Sequence, residues 1–184
     1  METTPDRSRE RYERLLRVAQ RLPPVTTAVA HPCDEVSLKG TVEAARLGLI
    51  APILVAPPDR IRDVAARAEL DISGFPLRES AHSHDSAEKA VALVREGKAE
   101  ALMKGSLHTD ELMGAVVARD TGIRTARRIS HCFVIDVPGH KDPLIVTDAA
   151  VNIAPDLEAK VDIVQNAIDL DLGLEIGQIG RAHV

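Results

Sequence analysis

Aromatic side chains are nearly absent from this chain of 184 residues. Tyr12, Phe75 and Phe133 make up the 2% of aromatic residues, and tryptophan is missing altogether. The core must therefore be built from aliphatic side chains. So few rings also provide no stacking platform of the kind that binds single-stranded nucleic acid.

Strong charge of one sign and long apolar runs are missing too. The net charge is −5 with no basic cluster, which argues against a partner with a phosphate backbone. No apolar run approaches the roughly 20 residues of a membrane helix. The charged segment 1–16 lacks the apolar stretch of a secretory signal. The sequence thus predicts a cytoplasmic protein that binds neither nucleic acid nor membrane.

Cysteine is scarce, and Cys33 and Cys132 do not make a disulfide framework. With His31 and His131 they would offer four metal ligands, but their spacings are not those of structural zinc sites. Neighbouring residues of a strand point to opposite faces, so His131 and Cys132 would not share a ligand. We therefore expect no metal, and we expect His131 to be a satisfied core histidine.

Apolar residues alternate between strand-like and helix-like patterns up to about residue 122. Buried strands are predicted at 25–30 and 51–56, and further strands at 75–79, where the pattern is weak, and at 100–104. A helix is predicted before the first strand, with Leu15, Val18, Ala19 and Leu22 on one face. Further helices are predicted after Asp34, at Pro57-Pro58-Asp59, from Asp85 in a capping box with Glu88, and over 109–120. Strands that are apolar on both faces and separated by single helices predict an α/β fold: a parallel sheet in three layers.

The pattern changes after Gly122. Two strand-like runs, 129–137 and 143–149, are joined by five residues, 138–142, which predicts an antiparallel hairpin. A long helix follows Asp156, with one apolar face made of Leu157, Val161, Val164, Ile168 and Leu172.

These patterns predict an N-terminal helix in 1–24, a first α/β lobe in 25–128, and a hairpin and helix that begin a second lobe in 129–178. Residues 179–184, "IGRAHV", match the translation of a widely used sequencing adapter. We expect them to be an adapter-derived tail and the chain to be an N-terminal fragment.

Lys104, Gly105 and Ser106 follow the strand at 100–104, and ligands of α/β sheets bind outside the carboxyl ends of strands. Glycine permits close backbone approach, serine offers a hydroxyl, and the next helix offers free N–H groups. Two interpretations stay open. The residues line a binding site, or Thr109 caps a helix whose Asp110 and Glu111 would repel a phosphate on the helix axis. Neither common nucleotide-binding fingerprint is present.

Two other groups are candidates for anion or substrate binding. Arg124, Arg127 and Arg128 precede the 129–137 strand, and arginine binds phosphate and carboxylate in bidentate fashion. A solvated charged turn is the alternative. Asp148 and Asn152 follow the 143–149 strand and fit either substrate binding or local Asx turns.

Several ordered stretches resemble the phosphate acetyl/butyryl transferase family, in particular its branch found fused to enoyl-CoA hydratase domains. They are "HPCDEVSLKGTVEAARLGLIAPILVAPP", "REGKAEALMKGSLHTDELMGAVV", "RRISHCFVIDVP" and "VTDAAVNIAPDLEAKVDIVQNAIDL". The resemblance runs from about His31 to Leu172, and the hydratase part is not present.

The resemblance implies two lobes like those of isocitrate and isopropylmalate dehydrogenases. It also implies transfer of a short acyl group between coenzyme A and inorganic phosphate, with coenzyme A as a substrate, no bound cofactor or metal, and a homodimer at full length. The implied substrate- and phosphate-binding candidates are Lys104, Gly105, Ser106, His108, Thr109, Arg127, Arg128, Ser130, Asp148 and Asn152. The family's main catalytic residues come later in its chains, so we expect this chain alone to be inactive and to expose apolar surface.

Two alternatives belong to other classes. A metal-dependent dehydrogenase of the same lobe architecture would need an aspartate cluster and a nucleotide loop, and only Asp148 and Asp156 suggest one. A non-catalytic ligand-binding module would keep the lobe without the chemistry.

Overall fold

The computed structural model describes residues 7–137 and 143–173, with side chains from Tyr12 onward. The predicted turn at 138–142 and the segment 179–184 lie outside the described residues. The chain divides into two compact units. One is Ala19–Arg124, and the other combines the described residues up to Val18 with those from Thr125 onward.

The Ala19–Arg124 unit is built on a parallel four-stranded sheet. In chain order, the elements up to its end are α1 (Arg7–Ala19), β1 (Val25–Ala30), α2 (Glu35–Arg46), β2 (Ile50–Ala56), α3 (Pro58–Arg67), β3 (Leu77–Glu79), α4 (Ser83–Arg95), β4 (Ala101–Lys104) and α5 (Thr109–Val117). The strand order is β3-β2-β1-β4, so β1 is central, with Ala28 opposite Ile53 on one side and Leu102 on the other. The predicted α/β fold with a parallel sheet is confirmed.

Alternating side chains of the central strands fill two aliphatic clusters, one on each face of the sheet. Ala28, Ala30 and Val55 pack with α4 and α5, through residues such as Val91 and Leu112. On the other face, Val29 and Leu54 pack with α2 and α3, and the buried residues of those helices include Leu38, Ile61, Val64 and Ala65. Helices thus cover both faces, as the doubly apolar strands predicted.

Several predicted helix ends were wrong. α4 begins at Ser83 with His82 as its N-cap, because the His82 imidazole accepts the N–H of Asp85 at 3.2 Å. Asp85 therefore lies inside the first turn rather than at the cap, and its carboxylate accepts the N–H of Ala81 at 2.7 Å. α5 begins at Thr109, as predicted, but its N-cap is His108 rather than Thr109.

Other predicted boundaries extended too far. α5 ends at Val117, where the extended backbone of Ala118 breaks the helix, and not at Asp120. α1 ends at Ala19, which leaves Leu22 outside the helix and exposed. β3 begins at Leu77, two residues after the predicted start at Phe75.

The second unit contains the predicted antiparallel pair. β5 (Phe133–Ile135) pairs with β6 (Leu144–Val146), with Val134 opposite Ile145, and both strands are shorter than predicted. α6 (Leu157–Gly173) follows Asp156, which accepts the N–H of Ala159 at 2.8 Å. The buried residues of α6 are Ala159 and Ile163. The apolar face identified from the sequence is exposed instead: Leu157, Val161, Val164, Ile168 and Leu172.

Candidate functional site

The carboxyl ends of β1 and β4 are tied together by hydrogen bonds between the loops that follow them. The N–H of Gly105 donates to the carbonyl oxygen of Ala30 at 2.8 Å. The N–H and the hydroxyl of Ser106 both donate to the carbonyl oxygen of His31 at 2.9 Å, and the same hydroxyl accepts the N–H of Cys33 at 3.1 Å. This edge of the sheet is where α/β proteins bind ligands.

Glycine at position 105 was expected to permit a close approach of the backbone. In the structure, the backbone that it approaches is that of β1 and the residue after it. A Cβ at this position would lie 2.5 Å from the carbonyl oxygens of both Ala30 and His31. Real Cβ atoms are not found that close to backbone oxygen, so any side chain here would push the two loops apart. Glycine is therefore required for the packing of this edge.

Lys104 and the start of α5 present opposite charges beside this edge. Lys104 is exposed, and its ammonium group forms no ion pair with a described residue. At the helix start, Glu111 accepts the N–H of His108 at 2.9 Å and the hydroxyl of Ser83 at 2.7 Å. The hydrogen bond from Ser83, and then that from His108, lower the pKa of Glu111. An ionised carboxylate thus lies at the start of the helix, and an anion contact by Lys104 stays a prediction.

A second group of predicted residues gathers around the carboxylate of Asp148 in the other unit. One of its oxygens accepts the backbone N–H of His131 at 3.1 Å and those of Ala150 and Val151 at 3.2 Å. The other accepts the backbone N–H of Asn152 at 2.9 Å and the Asn152 side-chain amide. Burial opposes the charge, but these hydrogen bonds outweigh it and hold the pKa of Asp148 far below its ordinary value.

Asp148 and Asn152 thus connect two stretches of backbone, since the Asn152 amide also donates to the carbonyl of Ile129 at 3.0 Å. Hydrogen bonds from the backbone two to four residues after Asp148 are those that the Asx-turn alternative predicts. A substrate contact by either residue stays a prediction.

The two predicted arginines differ in their surroundings. Arg127 forms an ion pair with Asp169 of α6. The backbone of Arg128 is fixed, because its N–H donates to Asp162 at 2.9 Å and its carbonyl accepts the side chain of Asn166 at 2.9 Å. The same amide donates to the hydroxyl of Ser130 at 2.8 Å. The Arg128 guanidinium is exposed and pairs with no described carboxylate, so it remains available to an anion.

The four residues weighed as metal ligands are divided between the two units. His31 and Cys33 belong to one unit, and His131 and Cys132 to the other. Within 7–137 and 143–173, no three histidine, cysteine or acidic residues are arranged to hold a metal ion. Burial raises the pKa of the Cys33 thiol to about 11, which keeps it protonated at neutral pH.

His131 is only partly the predicted core histidine. Its ring packs edge-on against Phe133, with ring centroids 4.1 Å apart. It is half-buried, and its Nδ1 is shielded from solvent without a hydrogen-bond partner among the described residues. The prediction of a satisfied histidine was therefore wrong.

Sequence reasoning missed a buried polar cluster at the carboxyl end of β1, in which His31 contacts Ser86 and Ser86 contacts Ser80. The one signal available was a histidine directly after a buried strand. Its partner lies 55 residues away, beyond the reach of any local pattern.

The fold and these loops define the class of protein: an α/β protein with polar loops at the carboxyl edge of a parallel sheet. The model of the family described as phosphate acetyl/butaryl transferase matches residues 78–176, more than half of the chain. The chain belongs to the phosphate acetyl/butyryl transferase family.

Curated relatives agree with that assignment. The chain is 61% identical over 168 residues to a phosphate acetyltransferase of Rhizobium meliloti, covering 91% of this chain and 53% of the relative. It is 48% identical to a phosphate acetyltransferase of Rickettsia prowazekii (strain Madrid E), covering 90% of this chain and 47% of the relative. The chain therefore spans about half the length of the curated relatives it matches.

A phosphotransacetylase crystal structure from Streptococcus pyogenes has a similar fold, with a TM-score of 0.74 at 14% sequence identity, covering 90% of this chain and 59% of that one. Among the described helices, none has the length and apolar content needed to cross a bilayer.

Proposed function

We propose that the full-length protein transfers a short acyl group between coenzyme A and inorganic phosphate: acyl-CoA + phosphate = acyl phosphate + CoA. One observation carries the proposal. The family match over 78–176 includes every candidate residue of both groups, from Lys104 to Thr109, from Arg127 to Ser130, and Asp148 with Asn152. The dehydrogenase alternative is not favoured, because the relatives and the structural neighbour are acyltransferases by name.

The reaction requires anionic groups to be held, the charge on a tetrahedral oxyanion to be stabilised, and a proton to move to or from sulfur. Lys104 and Arg128 are the candidates for holding anionic groups, because neither side chain forms an ion pair with a described carboxylate. Ser106 is less suited to donate to an oxyanion, since its single hydroxyl proton already goes to the carbonyl of His31. Its role is to hold the loop that carries Lys104.

Finer features of the full-length protein belong to the same proposal. They are a two-lobed architecture like that of isocitrate and isopropylmalate dehydrogenases, with an N-terminal helix in 1–24, a first lobe in 25–128 and a second begun in 129–178. Coenzyme A acts as a substrate with no bound cofactor, and the protein works as a cytoplasmic homodimer. The support for these features is family membership.

The test is an assay of the full-length protein with acetyl-, propionyl- and butyryl-CoA. A thiol reagent reports released coenzyme A, with and without inorganic phosphate. We expect release that depends on phosphate for at least one of the three. No release from any of them would defeat the proposal, and release independent of phosphate would indicate a thioesterase instead.

A further inference from the structure

A buried histidine at the carboxyl end of β1 has no role in the function proposed so far. His31 is 3% exposed, and its Nδ1 lies 2.9 Å from the hydroxyl oxygen of Ser86, which is fully buried. Ser86 Oγ also lies 2.7 Å from the hydroxyl of Ser80 and 2.9 Å from the carbonyl oxygen of His82. The cluster thus holds the imidazole in one orientation.

Counting protons in the cluster assigns the tautomer of the ring. Ser86 has a single hydroxyl proton and the carbonyl of His82 can only accept, so all three contacts of Ser86 Oγ are hydrogen bonds only when that proton goes to the carbonyl. Ser86 Oγ then has acceptor capacity left for two donors, which are the Ser80 hydroxyl and the Nδ1–H of His31. Burial, and then the positive charge of Arg60, lower the pKa of His31 against the opposing effect of Glu111, which favours the neutral ring. A neutral ring protonated on Nδ1 leaves Nε2 as a hydrogen-bond acceptor.

Nε2 is the atom that the fold leaves unused. Nε2 makes no hydrogen bond to a described residue. A described side-chain atom that lacks a partner and is sealed from solvent would be a buried unsatisfied atom, and Nε2 is not one of these. The small exposed part of His31 therefore includes Nε2. A pre-oriented acceptor at the surface of an otherwise buried side chain is suited to contact a ligand.

The backbone places this acceptor at the candidate site. His31 has a φ of +55°, a conformation that is uncommon for residues other than glycine and is concentrated at functional sites. Its carbonyl oxygen accepts both hydrogen bonds from Ser106. The same residue therefore carries the free acceptor and anchors the loop of Lys104.

We propose that His31 is a substrate-contacting residue whose Nε2 accepts a hydrogen bond from coenzyme A, either from its thiol S–H or from an amide N–H of its pantetheine arm. This inference rests on the proposed function. Coenzyme A suits a neutral acceptor better than phosphate does, because most phosphate oxygens are themselves acceptors. His31 therefore contributes to coenzyme A affinity and not to phosphate affinity.

The variant that isolates Nε2 is His31→Asn in the full-length protein. Asparagine tolerates the left-handed backbone, and its amide occupies the position of Nδ1 towards Ser86 without providing an atom at Nε2. We expect calorimetry to show a loss of at least tenfold in coenzyme A affinity, with the phosphate KM changed less than twofold. Ser86→Ala is the matched variant, because it keeps Nε2 but frees the ring, and it should show a smaller loss.

Binding of desulfo-coenzyme A distinguishes the two donors. If the variant binds it as well as the wild type does, the thiol is the partner, and if it loses affinity equally for both ligands, an amide is the partner. Unchanged coenzyme A affinity in His31→Asn would overturn the inference alone, provided that the wild type binds coenzyme A. A wild type that binds no coenzyme A would overturn both the inference and the proposed function.

A measurement on the wild type keeps the inference testable even if the His31→Asn variant fails to fold. Long-range ¹H–¹⁵N NMR of the histidine rings reports the tautomer of His31 in the 184-residue chain. We expect the Nδ1–H form at neutral pH. An Nε2–H form would remove the acceptor and overturn the inference whatever the variants show.

Discussion

The hydroxyl of Ser106 donates to the carbonyl of His31 at 2.9 Å and accepts the N–H of Cys33 at 3.1 Å. A single side chain from the β4 loop thus contacts two backbone groups of the β1 loop, 73 to 75 residues away in the chain, which also bond to each other at 2.8 Å. This bridge joins the candidate loop at Lys104 to the β1 loop, together with the N–H groups of Gly105 and Ser106.

Replacing Ser106 with alanine tests the bridge. The His31 carbonyl keeps the N–H groups of residue 106 and of Cys33, but the hydrogen bonds of the hydroxyl are lost, and a hydrogen bond of this kind contributes about 0.5–1.5 kcal/mol of stability. Urea unfolding of the 184-residue chain measures the change. Ser73→Ala is the control, because Ser73 is exposed and its hydroxyl contacts only the neighbouring Asp71. Equal midpoint shifts in the two variants would contradict the bridge.

Gly105→Ala should destabilise the protein for a steric reason. The added methyl group would sit 2.5 Å from two carbonyl oxygens, and overpacking of this kind costs about 1–3 kcal/mol. Gly114→Ala in α5 is the matched control, since a Cβ there meets nothing within 4 Å and alanine favours a helix over glycine by about 1 kcal/mol. Urea unfolding should show opposite signs for the two variants. An unchanged unfolding midpoint in Gly105→Ala would mean that the two loops can move apart without loss of stability.

The sequence predicted the sheet well because Val29 and Ala30 must both be buried, each on its own face, and that requirement is local. The N-caps of α4 and α5 were misassigned because His82 and His108 supply them, and histidine is not among the residues that usually do so. The Asp148 cluster was recognised as two polar residues at a strand end. Its backbone partner at His131 was not, since that hydrogen bond depends on strand pairing across 17 residues. The contact between His31 and Ser86 depends on tertiary packing in the same way.

The depressed pKa of Asp148 makes the stability of its unit depend on pH in acid. The group is ionised in the fold at pH values where an unfolded aspartate, with a pKa near 3.9, has begun to take up a proton. Its stabilisation is therefore complete above about pH 5 and declines as the pH falls through the unfolded pKa towards the folded-state value. In Asp148→Asn the charge is gone, so the stability difference from the wild type should shrink between pH 6 and pH 3.

Amide hydrogen exchange over residues 129–152 measures that difference locally. Asn152→Ala removes one side-chain donor to Asp148, so its stability difference from the wild type should also shrink as the pH falls, but by a smaller amount. A wild-type advantage that stays constant down to pH 3 would show that the hydrogen bonds do not favour the charged form.

Arg128→Ala in the full-length protein should raise the phosphate KM or lower kcat by at least tenfold, which corresponds to about 1.4 kcal/mol. The reason is that the Arg128 guanidinium pairs with no described carboxylate, whereas its neighbour Arg127 pairs with Asp169. Arg127→Ala is therefore the comparison and should change the phosphate KM less than threefold. Initial rates over a range of phosphate concentrations measure both effects. The reverse order of the two variants would assign the anion contact to Arg127.

The exposed apolar face of α6 should make the 184-residue chain self-associate, because contiguous apolar patches of this kind mark interaction surfaces or aggregation liabilities. Val161 is 61% exposed and Ile168 is 44% exposed, on the same side of the helix. Replacing both with glutamine, which keeps helix propensity, should shift the sedimentation profile towards the monomer. Val36→Gln is the control, since Val36 is 82% exposed on α2, in the Ala19–Arg124 unit. If the control lowers association as much as the double variant does, the α6 face is not the surface responsible.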